Sequence, residues 1–151
     1  MFKRCWVWGL ALSAMLLAQG VMAFPCFITI TKDSCWTQYT VMVDVLDAET
    51  DAILTTVVIP QGESWSRARI DAKAKQHVML RAKFKPVFWK SEKNKIYYAK
   101  QYWLLPDAIE GQSTAVHVSV CYPKSFSGVP LPPGADSKCI CSKPALPKVS
   151  D

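Results

Sequence analysis

The chain has 151 residues, half of them apolar and a fifth charged, with a formal net charge of +6. That composition excludes an intrinsically disordered or low-complexity chain. The length suits one globular domain and not several.

The first element is a leader. Lys3 and Arg4 precede an apolar run from Cys5 to Ala18, and Val21-Met22-Ala23 closes it with small residues. A charged start, an apolar centre and a small-residue end are the parts of a secretory signal peptide over 1–23. An uncleaved anchor is the alternative, but the run is short for a bilayer span, which takes roughly 20 apolar residues. Cleavage leaves 128 residues, Phe24 to Asp151, in the periplasm or outside the cell. The style of the leader is bacterial.

Past the leader, period-2 alternation marks half-buried strands. Phe27–Thr31 alternates isoleucines with threonines, and Tyr39–Leu46 sets Val41, Val43 and Val45 against Thr40, Met42 and Asp44. A turn follows at 47–51. Ala52–Ile59 is apolar on both faces, which reads as a buried strand ending at Pro60. After Gln61-Gly62 comes a short basic strand, Trp65–Ile70. Gln76–Phe84 puts Val78, Leu80, Ala82 and Phe84 on one face and His77, Met79, Arg81 and Lys83 on the other. A polar loop, Lys90–Lys95, leads to a strand over Ile96–Leu105. Thr114–Tyr122 turns Val116, Val118 and Val120 inward, with His117, Ser119 and Cys121 outward. Ser64–Ala74 and Asp107–Gln112 could each hold a helical turn.

Seven strands with turns about every 8–12 residues indicate an all-β fold, an antiparallel, immunoglobulin-like β-sandwich over 24–122. A partly closed barrel is the alternative. Residues 123–151 differ, since six of these 29 are proline. Such a segment favours extended geometry and cannot enter a central strand. It reads as a surface-wrapping tail pinned by Cys139 or Cys141.

Export makes disulfides the default for Cys26, Cys35, Cys121, Cys139 and Cys141. Five is odd, so one thiol is left over, free or bridged to a partner chain. The preferred pairs are Cys26–Cys35 and Cys121 with Cys139 or Cys141, each closing a short loop worth roughly 2–3 kcal/mol. A metal site is disfavoured, because Cys139-Ile140-Cys141 lacks the spacer usual for zinc and has no second knuckle.

Charge is segregated. Residues 24–66 hold one Lys against six carboxylates, whereas 67–100 hold eleven bases against two acids. Within the basic third, Arg81, Lys83, Lys85, Lys95 and Lys100, with Lys90 and Lys93, interleave with Trp89, Tyr97 and Tyr102. Cations beside exposed aromatics suit an acidic protein surface, anionic glycans or lipid headgroups. Nucleic acid needs the same chemistry, but export argues against it. The plainer reading puts Phe84, Trp89, Tyr98 and Trp103 in the core, with the lysines merely solvating a sheet.

Other constellations are weaker. His77 and His117 could meet near Cys121 if their strands were neighbours, giving a thiol–imidazole pair. Gln61–Ser66 resembles a nucleophile elbow only loosely, lacking its second glycine. Asp44, Asp47, Glu49 and Asp51 cluster around a hairpin but lack the calcium-loop pattern, so a solvated turn fits better. The sequence therefore points to a protein without catalytic residues, cofactor or metal. Its expected role is that of a binding or scaffold subunit in a periplasmic or outer-membrane-associated assembly, such as a secretion apparatus. An anionic glycan- or lipid-headgroup-binding module is the alternative, and a small secreted enzyme or inhibitor a third.

Overall fold

A computed structural model describes residues 22–142. The leader lies outside the described residues apart from Met22 and Ala23. Eight strands follow in chain order: β1 Ala23–Lys32, β2 Thr40–Asp47, β3 Ile53–Ile59, β4 Trp65–Lys73, β5 His77–Lys85, β6 Tyr97–Tyr98, β7 Trp103–Leu104 and β8 Val116–Tyr122. They form a two-sheet sandwich. One sheet runs β4-β1-β8, and the other runs β3-β2-β5-β6 with β7 also on β5. Among the described residues no helix is long and apolar enough to cross a membrane.

The alternation that marks the strands also builds the core. Val41, Val43 and Val45 of β2 and Val78, Leu80, Ala82 and Phe84 of β5 are all buried. They lie opposite one another in the antiparallel ladder, Val41 against Phe84 and Val43 against Ala82. Facing them across the sandwich are Cys26, Ile28 and Ile30 of β1 with Ile70 and Ala72 of β4. At one end the core becomes aromatic. Trp36, from a 3-10 turn at Ser34–Trp36, sits with its ring centre 4.7 Å from Phe84, 5.0 Å from Tyr122 and 5.1 Å from Tyr39. Edge-to-face contacts of this kind add to simple burial.

Five expectations about the elements need correction. The short strand expected at Trp65–Ile70 runs on to Lys73, so Ser64–Ala74 holds no helical turn, and Asp107–Gln112 holds no helix. Ala52–Ile59 is not buried on both faces: β3 pairs only with β2, and Ile53 and Val58 are exposed. Apolar residues on both faces signal high strand propensity as readily as burial. Ile96–Leu105 is not one strand but two short ones, β6 on Arg81–Ala82 and β7 on His77–Val78. Lastly, β1 pairs with β8 in parallel, so the sandwich is not wholly antiparallel. Parallel pairing requires a long crossover; here the whole of the second sheet lies between the two strands in sequence.

The Pro-rich tail straps the sandwich. Lys100 N–H donates to Ser125 C=O and Ser127 N–H to Tyr98 C=O, so the strap first covers the outer side of β6. It then reaches the β1 end, where Ser34 N–H donates to Ile140 C=O and Ile140 N–H to Ser34 Oγ. Two disulfides fasten it, Cys35–Cys139 and Cys121–Cys141. The Cys121–Cys141 pair is one of the two expected partners of Cys121, but the preferred Cys26–Cys35 pair does not form. Residues 139 and 141 of an extended chain point the same way, and between them they reach Cys35 just beyond β1 and Cys121 near the end of β8. Disulfides persist in oxidising compartments.

Among the described residues the thiol left over is Cys26, and it is fully buried. Burial pushes its pKa up to about 11, because a thiolate there would lose its hydration. A bridge from Cys26 to a partner chain is therefore closed to the folded protein.

Candidate functional site

The basic–aromatic stretch emerges from the edge of the second sheet farthest from β3. Its floor is the outward face of β5, whose inward residues fill the core. Lys83 and Lys85 are exposed there, opposite Met42 and Thr40 of β2. Arg81 belongs to the same face but is not a free cation. Its Nε donates to Asp44 Oδ2 at 3.0 Å, and Asp44 Oδ1 accepts from Thr56 Oγ1 at 2.8 Å. This bond raises the Arg81 pKa still further. Arg81 thus links β5 to β2 on that face, with its charge compensated by Asp44.

The loop after β5 supplies the aromatics. Phe88 is half-buried and stacks on Phe84 with ring centres 5.1 Å apart, which ties the loop to the aromatic core. The adjacent Trp89 turns outward, 53% exposed, in edge contact with Phe88 at 5.9 Å. Lys95 Nζ donates to Glu92 Oε1 at 3.2 Å. Tyr97 is not an exposed aromatic. It is buried, and its hydroxyl donates to the Glu92 carboxylate. That bond holds the Glu92 pKa below the usual carboxylate range, while burial pushes the Tyr97 phenol up. Its neighbour Tyr98 takes the exposed position opposite Arg81. Tyr102 is 64% exposed, and Lys100 is exposed beside it.

Val87, Ile96 and Leu104 are exposed on the same stretch and were not singled out by sequence. With Trp89, Tyr98 and Tyr102 they account for more than half of the exposed large apolar side chains of the described residues. Among those residues Lys83, Lys85, Lys90, Lys93 and Lys100 form no ion pair. A surface of apolar and aromatic side chains ringed by uncompensated cations can bind an anionic, partly apolar partner.

The alternative constellations do not assemble. His77 lies on β5 of one sheet, its Nδ1 3.6 Å from Glu49 Oε1, and His117 lies on β8 of the other. Cys121, between two readings of its role, is oxidised to Cys141. Asp33, Cys35 and Cys139 lie close together, but both sulfurs are committed to the disulfide and cannot ligate. The acidic hairpin is a solvated turn: Asp47 Oδ1 accepts from Glu49 N–H and Thr50 N–H, and its Oδ2 accepts from Gln76 Nε2. The Gln76 bond is the main reason that the Asp47 pKa is lowered.

Two features escaped the sequence reading. On the first sheet the Arg67 guanidinium lies over the rings of Phe27 and Trp65, at 5.8 and 5.9 Å, and Phe27 stacks with His117 at 5.6 Å. The alternation of basic Trp65–Ile70 carried that signal, but not its pairing with Phe27. A groove of about 500 Å³ runs between the strap and the β1–β2 connection, lined by Ser34, Gln38, Tyr39, Pro132, Asp136 and Lys138 among others. It exists only because the strap folds back. No protein-family model, curated protein or solved structure matches this chain, so its function is argued from the geometry.

Proposed function

We propose that the chain is an exported β-sandwich protein that acts by binding, as a scaffold subunit of a larger periplasmic or outer-membrane-associated assembly. The docking face is the lysine-rich aromatic surface between Lys83 and Leu104. One observation carries the reading: Trp89, Tyr98, Tyr102 and Leu104 are held outward by a strapped, disulfide-tied sandwich, on the stretch where Lys83, Lys85 and Lys100 have no acidic partner among the described residues. Aromatic anchors ringed by charge have the make-up of protein interfaces. Export is supported by the leader pattern and the two disulfides.

The test is capture of partners from envelope extracts by the tagged mature domain at moderate salt. The wild type should retain a discrete set of proteins that is lost when Lys83, Lys85, Lys95 and Lys100 become Glu, and reduced by Trp89→Ala with Tyr102→Ala. Retention unchanged by those substitutions, or no partner at all, refutes the reading. Because the same cations suit an anionic glycan or headgroup, heparin and anionic liposomes are run in parallel. Retention there, with no protein captured, assigns the face to that second class.

A further inference from the structure

We infer that the free edge of β3 is a second docking site, which takes an extended strand of a partner polypeptide with basic residues at its ends. The sandwich treats its edges differently. The β6 side is covered by the strap at residues 125–127. The β4 edge carries Arg67, Arg69, Asp71 and Lys73 among its nine residues. Charges of this kind are the usual guard against unwanted pairing. The β8 edge exposes no large apolar side chain and is tied at Cys121 to the strap.

β3 lacks charge, proline and strap, and β4 comes close to it without forming a ladder with it. Its seven residues, Ile53–Ile59, carry no charge and no proline. It pairs with β2 alone, and among the described residues its other row of N–H and C=O groups has no partner. Ile53 and Val58 stand exposed on it, at 55% and 44%. A Leu54 bulge perturbs only one end, where the register with β2 shifts. A row of unpaired backbone groups on an extended, strongly strand-forming segment recognises another extended backbone.

Charge decides which one. Glu49 and Asp51 lie just before β3 and Glu63 just after it, all exposed, and no base lies between residues 33 and 66. The cations of β4 alternate with the buried Ile70 and Ala72, so they point off the opposite sheet. A second copy of this chain fits poorly. Antiparallel pairing centred on Thr56 would set Glu49 of one copy against Glu63 of the other, and parallel pairing would set each acid against itself. A strand with lysine or arginine flanks meets both acidic ends favourably. This site is at the opposite edge of the sheet from the lysine face and does not depend on it.

The probe is a labelled synthetic peptide of alternating valine and threonine with lysine flanks, titrated against the mature domain by fluorescence anisotropy. Saturable binding is expected, weakened about tenfold or more when the flanks become glutamate, as expected of charge-steered pairing. N-methylation of alternate peptide amides, which keeps side chains and charges but removes donors, should abolish it. The exposed substitution Val58→Lys should do the same, and Glu49→Gln with Glu63→Gln should remove the preference for lysine flanks. No saturable binding, equal binding of both peptides, or indifference to N-methylation overturns the inference. Self-association of the domain that Val58→Lys abolishes also overturns it, by assigning the edge to a second copy. Lys83→Glu with Lys85→Glu must leave peptide binding intact, so loss of the lysine face and loss of this edge are read separately.

Discussion

Lys32 is the most exacting test of how this fold holds together. It is 3% exposed, and no carboxylate bonds to it. Its ammonium donates instead to Tyr39 C=O at 2.7 Å, Pro60 C=O at 2.9 Å and, weakly, Thr37 C=O at 3.5 Å. It thereby joins the end of β1 to the start of β2 and to the β3–β4 turn. Pro60 and Thr37 carbonyls have backbone donors as well, from Glu63 and Gly62, whereas among the described residues no other donor reaches the Tyr39 carbonyl. In Lys32→Met the stem is replaced, but Tyr39 C=O is left unpaired in a half-buried place, which costs up to about 1–3 kcal/mol. Loss of the charge-assisted bond to Pro60 adds about 1.5–3 kcal/mol. Relief of the buried ammonium, itself several kcal/mol, offsets part of this. A net destabilisation of about 1–3 kcal/mol follows, on the order of 5–10 °C in Tm for a domain this size. The assay is urea denaturation followed by tryptophan fluorescence, with disulfides intact and Lys124→Met as the exposed control. The midpoint should fall with the slope unchanged. The pH dependence has a defined sign. Burial lowers the Lys32 pKa, with Glu63 acting weakly in the other direction. Below the folded-state pKa the penalty is fully present; it fades as pH rises toward the unfolded-state value of about 10.5. The neutral amine still has two donors for its two short bonds, so the wild type should gain on Lys32→Met across that alkaline window. A loss under about 0.5 kcal/mol, within the range of surface substitutions, would refute this account.

Three further outcomes are expected. Cys35 and Cys139 are 104 residues apart and Cys121 and Cys141 only 20. On the chain-entropy model the first bridge contributes about 4.8 kcal/mol and the second about 3.3 kcal/mol. Cys139→Ser should therefore lower the urea midpoint more than Cys141→Ser, and the reverse order would contradict the model. Cys26 should resist a thiol reagent in the native mature domain and react once, stoichiometrically, in denaturant; intact mass reads both, and rapid native labelling would contradict its burial. Asp33 has its pKa raised chiefly by burial, although its carboxylate accepts from Cys35 N–H at 3.0 Å. A raised carboxylate contributes stability that is present below the unfolded pKa of about 3.8 and is lost as pH rises through the folded value. Asp33→Asn keeps the acceptor, so thermal melts should show it as stable as wild type or more so at pH 7, and any large loss there would show that the charge itself is needed.

Several of these features could be read along the chain, and others could not. Val78, Leu80, Ala82 and Phe84 were assigned to one face because side chains alternate across a strand whatever it pairs with. Tyr97 and Tyr98 show the limit. Adjacent tyrosines carry no parity of their own, and the two-residue β6 sets the phase through its pairing with Arg81 and Ala82. Arg81 was legible as an outward cation but not as a partner of Asp44, because that contact requires β2 beside β5. The sequence of β3 reads as a strand buried on both faces, since apolar composition reports strand formation and not how many neighbours the strand has.

The amino-acid order by itself determined an all-β chain, the positions of its main strands, the faces that β2, β5 and β8 present and the segregation of its charge. All of these rest on periodicities and totals carried by near neighbours. Tertiary structure alone decided that Cys26 is left out while Cys35 meets Cys139, that Lys32 is buried among carbonyls, and that β1 lies parallel to β8. Each depends on which distant segments become neighbours, and that follows from closing two sheets on one core and strapping them, not from any local pattern.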